Sequence, residues 1–330
     1  MGIKHDSYAT YKLLGREFQK RGYSVSTQTV NDRTRVRYCS PSGKVWETSA
    51  TNIGYPFNSR FVRDCSINKE IASDYVSDRD MPIPETIYIH SQDQGGVELK
   101  DLLDRRHRIV IKPAEASLSR GLTIDITDLD TARAAVTFAK RYSSSVVAQQ
   151  QVTGQEIRFA VLHGKVVAAL LRQTPRITGD GISTVADLIR AENIAREDLE
   201  FPYISYPQLD EALIDPRHIS SSDVLAAGEV LELGHATMIK AGCSIYNVMD
   251  EVHQTYIDQV EQIVGGMKAG FIVMDIFIRD HTVAATSDNH WFIEFNTAPV
   301  LKLFYGCRDS RHFDIVPLLV SEIDEHLHRQ

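Results

Sequence analysis

The chain has 330 residues, 43% of them hydrophobic, enough to bury a substantial core in two or three lobes. A formal net charge of -8 argues against a nucleic-acid partner, and the scattered Cys39, Cys65, Cys243 and Cys307 signal neither a zinc site nor a disulfide framework. No apolar run is long enough to cross a membrane, and Met1 to Ser24 carries no signal-peptide core, so the expectation is a cytoplasmic protein.

In chain order, Tyr11, Leu13, Leu14 and Phe18 recur near helical spacing and predict a helix over Ser7 to Lys20. A short strand follows over Tyr23 to Thr29. Thr34 to Tyr38 and Lys44 to Glu47 alternate around Pro41-Ser42-Gly43 as a hairpin. Asn68 is placed to cap a helix carrying Lys69, Ile71, Ala72 and Tyr75. Met81-Pro82-Ile83-Pro84 favours an extended connector and closes a first lobe, residues 1–84. A middle lobe, 85–152, holds strands at Arg108–Lys112, Leu122–Ile126 and Val146–Gln150, with a helix over Asp130 to Tyr142. A third lobe, 153–330, opens with Glu156–Leu162 and Lys165–Arg172 flanking the tight-turn pair His163-Gly164. Thr178-Gly179-Asp180-Gly181 is another turn, and a helix near Val185–Glu192 takes Ser183 or Thr184 as its cap. Asn193 to Arg217 has little periodicity and reads as an excursion or loop. A helix over Tyr256 to Met267, two strands around Asp275 and Glu294, and a closing helix over Phe313 to Leu327 complete the chain.

The chemistry sits at strand ends. Arg108-Ile109-Val110-Ile111-Lys112-Pro113 puts a lysine at the mouth of an apolar strand. Such a lysine is either a snorkelling surface cation or a point charge for a nucleotide phosphate. Trp291 to Pro299 carries Glu294 and Asn296 on one face of a strand, and Phe271 to Ile278 carries Asp275. Acids in otherwise buried strands need something to neutralise them. Antiparallel pairing sets Asp275 opposite Glu294, with Asn296 on the same face. Three converging oxygen donors suit Mg²⁺, which takes few protein ligands; the plainer alternative is a salt-bridged acid pair. The loop Glu115 to Gly121 contains Ser117, Ser119 and Gly121, and either cradles phosphates or simply connects two strands. Arg158 and Arg172, on the two arms of the third-lobe hairpin, suit carboxylate or phosphate recognition, with surface arginines as the alternative. No Gly-x-Ser-x-Gly elbow and no cysteine in a reactive context points to a hydrolase.

Seven stretches occur in an order that fits one family: Asn68-Lys69, Val110-Ile111-Lys112-Pro113, Gly154-Gln155-Glu156-Ile157-Arg158, Thr178-Gly179-Asp180-Gly181, Asp250-Glu251-Val252-His253, Asp275, and Glu294-Phe295-Asn296. From roughly Asn68 onward the chain resembles the ATP-grasp carboxylate–amine ligases, especially the ATP-grasp parts of cyanophycin synthetase and bifunctional glutathione synthetases. The resemblance implies an α+β or α/β fold of three lobes, with ATP between the central and C-terminal lobes. It implies that Lys69 and Lys112 hold phosphates under a lid from Ser117 through Ser119 to Gly121. Gln149 to Val152, Gln151 included, would form the adenine hinge, and Glu156 would bind the ribose. Asp275, Glu294 and Asn296 would hold two Mg²⁺ ions, with Mn²⁺ as a substitute. Arg158 and Arg172, with Lys112, would serve catalysis at the carboxylate or acyl phosphate. The implied substrates are amino acids or small peptides, and a homodimer fits the same picture.

The chain departs from that family in three places. The hinge usually begins with an acid, but here has Gln149 and Gln150. The lid has fewer glycines than usual. Ala236 to Cys243, with Met238 and Lys240, replaces a stretch usually rich in Asn, Ser, Thr and Gly, which implies a changed substrate pocket. An ATP-dependent kinase and a non-catalytic nucleotide-binding module are the competing readings.

Overall fold

The computed structural model describes residues 9–90, 96–115, 120–199, 206–210, 219–234 and 238–329. Helix α1 (Thr10–Lys20) buries Leu13, Leu14 and Phe18, the apolar stripe its spacing marks. Strands β1 (Ser24–Val30), β2 (Arg33–Cys39) and β3 (Val45–Ser49) form an antiparallel meander that buries Val36, Tyr38 and Trp46. Helix α2 (Arg60–Ile67) starts where the Ser59 hydroxyl accepts from the Val62 N–H. Helix α3 (Lys69–Ser77) starts where the Asn68 side chain accepts from the N–H groups of Glu70 and Ile71. That cap makes Lys69 the first residue of α3.

Next come β4 (Thr86–Ile89), α4 (Gly96–Arg106), β5 (Ile109–Pro113), β6 (Thr123–Ile126), α5 (Leu129–Ala139) and β7 (Val146–Gln150). The four strands form an antiparallel sheet in the order β4-β7-β5-β6. Ile89, Ile109, Ile111 and Ala148 pack with Leu99, Leu102 and Val136 of the two helices in one buried cluster. Side chains alternate along a strand, so the opposite face is left to Thr86, Lys112 and Gln149.

Strands β8 (Gln155–Leu162) and β9 (Lys165–Gln173) are joined by His163 and Gly164, both at positive φ, as a two-residue hairpin turn requires. Strand β10 (Arg176–Thr178), helix α6 (Val185–Glu197) with Thr184 as its cap, and β11 (Val230–Glu232) follow. Strand β12 (Ser244–Asn247) pairs with the end of β9, Ile245 opposite Arg172. Helix α7 (Gln254–Met267), β13 (Phe271–Ile278), β14 (His290–Asn296) and α8 (Ile315–Arg329) end the order. Strand β13 lies between β8 and β14, antiparallel to both. A bulge interrupts β14: Asp275 faces Glu294 but Ile276 faces Phe292, which leaves Ile293 as the extra residue.

The contacts divide the chain into two compact units, each built from separated stretches. One comprises Met1–Phe57, Leu170–Asp250 and Ala298–Gln330; the other comprises Asn58–Ala169 and Glu251–Thr297. Among the described residues no helix is long and apolar enough to cross a membrane.

One expectation needs correction. Helix α6 runs on through Asn193 to Glu197, where a loop was expected. Arg196 hides the helical pattern, because its side chain is only 1% exposed at a position where an apolar residue would be expected. Its guanidinium donates to Glu192 one turn back, to the carbonyls of Pro207 and Gly242, and to the Ser244 hydroxyl. Within the same 193–217 stretch, residues 200–205 and 211–217 lie outside the described residues.

Candidate functional site

The second unit brings most of the candidate residues together on two strand faces. Arg158 on β8, Asp275 on β13 and Glu294 on β14 are register partners across three adjacent strands. Residues two apart share a face, so Glu156 joins Arg158, and Asn296 joins Glu294. The guanidinium of Arg158 grips Asp275 with both arms, Nε to Oδ1 at 2.8 Å and Nη2 to Oδ2 at 2.6 Å. Asp275 is 1% exposed and Arg158 5%. Burial opposes the charge on Arg158, but Asp275, helped by Glu156 and Glu294, holds its pKa above the ordinary value. The sequence reading gave these two residues separate tasks; the structure couples them.

Lys69 and Lys112 come to this face from other elements. Lys69, at the start of α3, places Nζ 3.8 Å from Glu294 Oε2 and donates to the Ala114 carbonyl. Lys112, on β5, donates from Nζ to Gln149 Oε1 at 3.0 Å. Burial lowers the Lys112 pKa to about 8; Lys69 pushes the same way, while Glu294 and Glu156 pull it back. Both lysines, Glu156 and Glu294 therefore share one electrostatic environment.

The hinge residues have separate duties. Gln149 joins Lys112 to Thr86 through its amide. Gln151 turns aside to Asp125, accepting from its N–H and donating to its carboxylate. Val152 is half-buried at the end of this segment. Gly154 precedes Glu156 for a steric reason: a Cβ there would lie 2.8 Å from the Ile278 carbonyl oxygen. Gly121 has φ +74, and a Cβ on it would lie 2.7 Å from both Pro113 and Tyr142. Ser117 and Ser119 lie outside the described residues. Arg172, near the end of β9, belongs to the first unit, and Arg158 to the second. In that unit the Thr178–Gly181 turn is shaped by Asp180, whose carboxylate accepts from the N–H groups of Ile182 and Ser183 and from the Ser183 hydroxyl.

The donor set decides what kind of metal these residues suit. Among the described residues no three His, Cys, Asp or Glu side chains stand close enough to hold a metal by themselves. The shared face offers Glu294, the Asn296 amide, and Asp275, whose two oxygens already accept from Arg158. That set fits a magnesium ion that takes one or two protein oxygens and completes its shell with phosphate and water.

Sequence reasoning missed Thr86. A threonine opening a short strand carries no signal of its own, and only the sheet register, Thr86 opposite Gln149, reveals it.

No family model matches the chain. Over 254 residues it is 24% identical to the glutathione biosynthesis bifunctional protein GshAB of Streptococcus thermophilus, covering 74% of this chain and 33% of that protein. Over 300 residues it is 26% identical to cyanophycin synthetase of Geminocystis herdmanii, covering 84% of this chain and 34% of that protein. The chain thus spans about a third of the length of these curated relatives. Among solved structures, the bifunctional glutathione synthetase from Pasteurella multocida superposes with a TM-score of 0.60 at 19% identity, covering 98% of this chain and 46% of that one. The mixed α/β architecture, with its several antiparallel sheets, is the fold of the ATP-grasp ligases.

Proposed function

We propose that this chain is an ATP-dependent carboxylate–amine ligase acting on amino acids or small peptides. One observation carries the reading: Glu156, Arg158, Asp275, Glu294 and Asn296 share a strand face, with Lys69 3.8 Å from Glu294 and Lys112 in the same electrostatic environment. A face that sets two lysines against acids and an amide is suited to a triphosphate and its counter-ions.

A carboxylate oxygen attacks the γ-phosphorus of ATP, the bond to ADP breaks, and an acyl phosphate results. The amine then attacks the acyl carbon, phosphate leaves with its oxygen, and the nitrogen loses a proton. Lys69 and Lys112 hold phosphate oxygens, and Glu156 takes the ribose. Val152 and the backbone of Gln151 line the base, with Ser117, Ser119 and Gly121 over the phosphates. Glu294, Asn296 and Asp275 would hold two magnesium ions, with manganese as a substitute; bound metal offsets phosphate charge. Arg158 holds Asp275 in place through both carboxylate oxygens. Arg172 is assigned to the substrate carboxylate or the acyl phosphate. A cytoplasmic setting and a homodimeric assembly complete the reading.

The test is phosphate release from Mg-ATP, crossing amino acids and short peptides as acyl donors with amines as acceptors, with products identified by mass spectrometry. Release that requires both partners, with an amide product, supports the ligase. Release without an amine, leaving a phosphorylated product, would make it a kinase instead.

A further inference from the structure

Gln149 holds its amide between two groups. Nε2 donates to Thr86 Oγ1 at 2.7 Å, and Oε1 accepts from Lys112 Nζ at 3.0 Å. A primary amide can turn over, exchanging nitrogen and oxygen at little steric cost, so something must choose between the two orientations. Thr86 makes that choice. Its hydroxyl hydrogen is committed to the Pro84 carbonyl at 2.7 Å, so toward Gln149 it can only accept. The inverted amide would set acceptor against acceptor at Thr86 and donor against ammonium at Lys112. Gln149 is 8% exposed, which leaves water little room to repair either mismatch.

We propose that Thr86 is a positioning residue that, through Gln149, fixes where the Lys112 ammonium sits for a nucleotide phosphate. This rests on the nucleotide site proposed above. The arrangement also explains the use of an amide at residue 149. Gln149 orients Lys112 without cancelling its charge, which otherwise faces Lys69 from α3, Glu294 from β14 and Glu156 from β8. A carboxylate at residue 149 would present an acceptor to Lys112 whichever way it turned, and would need no Thr86 to orient it.

That difference gives a test that a purely structural threonine would fail. The affinity of the full chain for AMPPNP with magnesium is measured by calorimetry, in the wild type and in the T86V, T86A, T86S, Q149E and T86V/Q149E variants, with thermal midpoints alongside. Loss of one oriented neutral hydrogen bond predicts a weakening of about fivefold to tenfold for T86V and T86A. T86S restores wild-type affinity, because it keeps the hydroxyl. In the Q149E background T86V changes affinity by less than about twofold, and Q149E alone extends binding to higher pH. An equal loss from T86V in both backgrounds, full affinity in T86V and T86A, or a T86S as weak as T86V would each overturn the role of Thr86. A wild type that does not bind AMPPNP, or a K112A variant that binds as tightly as wild type, would instead remove the nucleotide site, and the role of Thr86 with it.

Discussion

Arg158 and Asp275 form a two-armed ion pair at 2.8 and 2.6 Å between neighbouring strands, with both side chains buried. Breaking such a pair leaves an uncompensated charge away from water. Asp275→Asn should therefore destabilise the protein by about 3–5 kcal/mol, more than a surface ion pair would. Replacing both residues by apolar ones of similar volume should cost less than the single change. Urea unfolding of the wild type and these two variants measures this, and equal losses in the single and double variants would count against the coupling.

Glu294 has a different exposure and a different expected phenotype. It is half-exposed beside Lys69, so Glu294→Gln should leave the thermal midpoint nearly unchanged. Turnover should fall at least about a hundredfold, roughly 3 kcal/mol of lost transition-state stabilisation. Steady-state kinetics at saturating Mg-ATP checks this, and near-normal turnover would argue against a metal role.

Lys112 sets a pH dependence whose sign follows from its lowered pKa. The ammonium is charged below about 8 and loses its proton above it, so nucleotide affinity should decline as pH rises through that value. Lys112→Ala should bind nucleotide more weakly at neutral pH and flatten the decline. The stability contribution runs the other way. The unfolded chain holds this proton up to the ordinary lysine range, so above about 8 stability should rise with pH until that range is reached. Calorimetric titrations and melts from pH 7 upward separate the two effects.

Gly154→Ala tests the close approach beside Glu156. The new methyl group would meet backbone atoms of Ile278 at 2.8 and 2.9 Å, which cannot swing aside as a side chain would. A loss of about 1–3 kcal/mol is expected, together with a raised KM for ATP. A variant with unchanged melting and KM would show that the backbone relaxes freely there.

Asn68→Ala removes the cap of α3, whose first residue is Lys69. About 1 kcal/mol of stability should be lost, and Lys69 should be less well fixed. A higher KM for ATP with little change in kcat is the expected kinetic mark.

Much of this was legible because local rules act over short spans. Period-two alternation and antiparallel pairing predict Asp275 opposite Glu294, and the structure shows that register. Asn68 and Thr184 cap their helices as their side-chain chemistry favours. The His163-Gly164 turn also falls where the flanking strands require it. What stayed hidden depends on partners far apart in the chain. Arg158 meets Asp275 across 117 residues, and Gln149 meets Thr86 across 63. No spacing rule links such positions. Helices α2 and α4 went unread, since each buries only a short stripe and leaves other apolar residues exposed: α2 buries Val62 and Cys65 but exposes Phe61 and Ile67, and α4 buries Leu99, Leu102 and Leu103 but exposes Val97.

The bulge in β14 also bears on how the strand tolerates a shortened chain. The residues before it keep Phe292 aligned with Ile276, and those after it keep Glu294 aligned with Asp275. Removing Ile293 would join these two halves into a regular ladder and leave every side chain on its present side. Excising Phe295 instead would turn Asn296 inward, toward the hydrophobic interior. The strand thus contains a spare residue at one position, where evolution or an engineer can trim it without reversing the chemistry it displays.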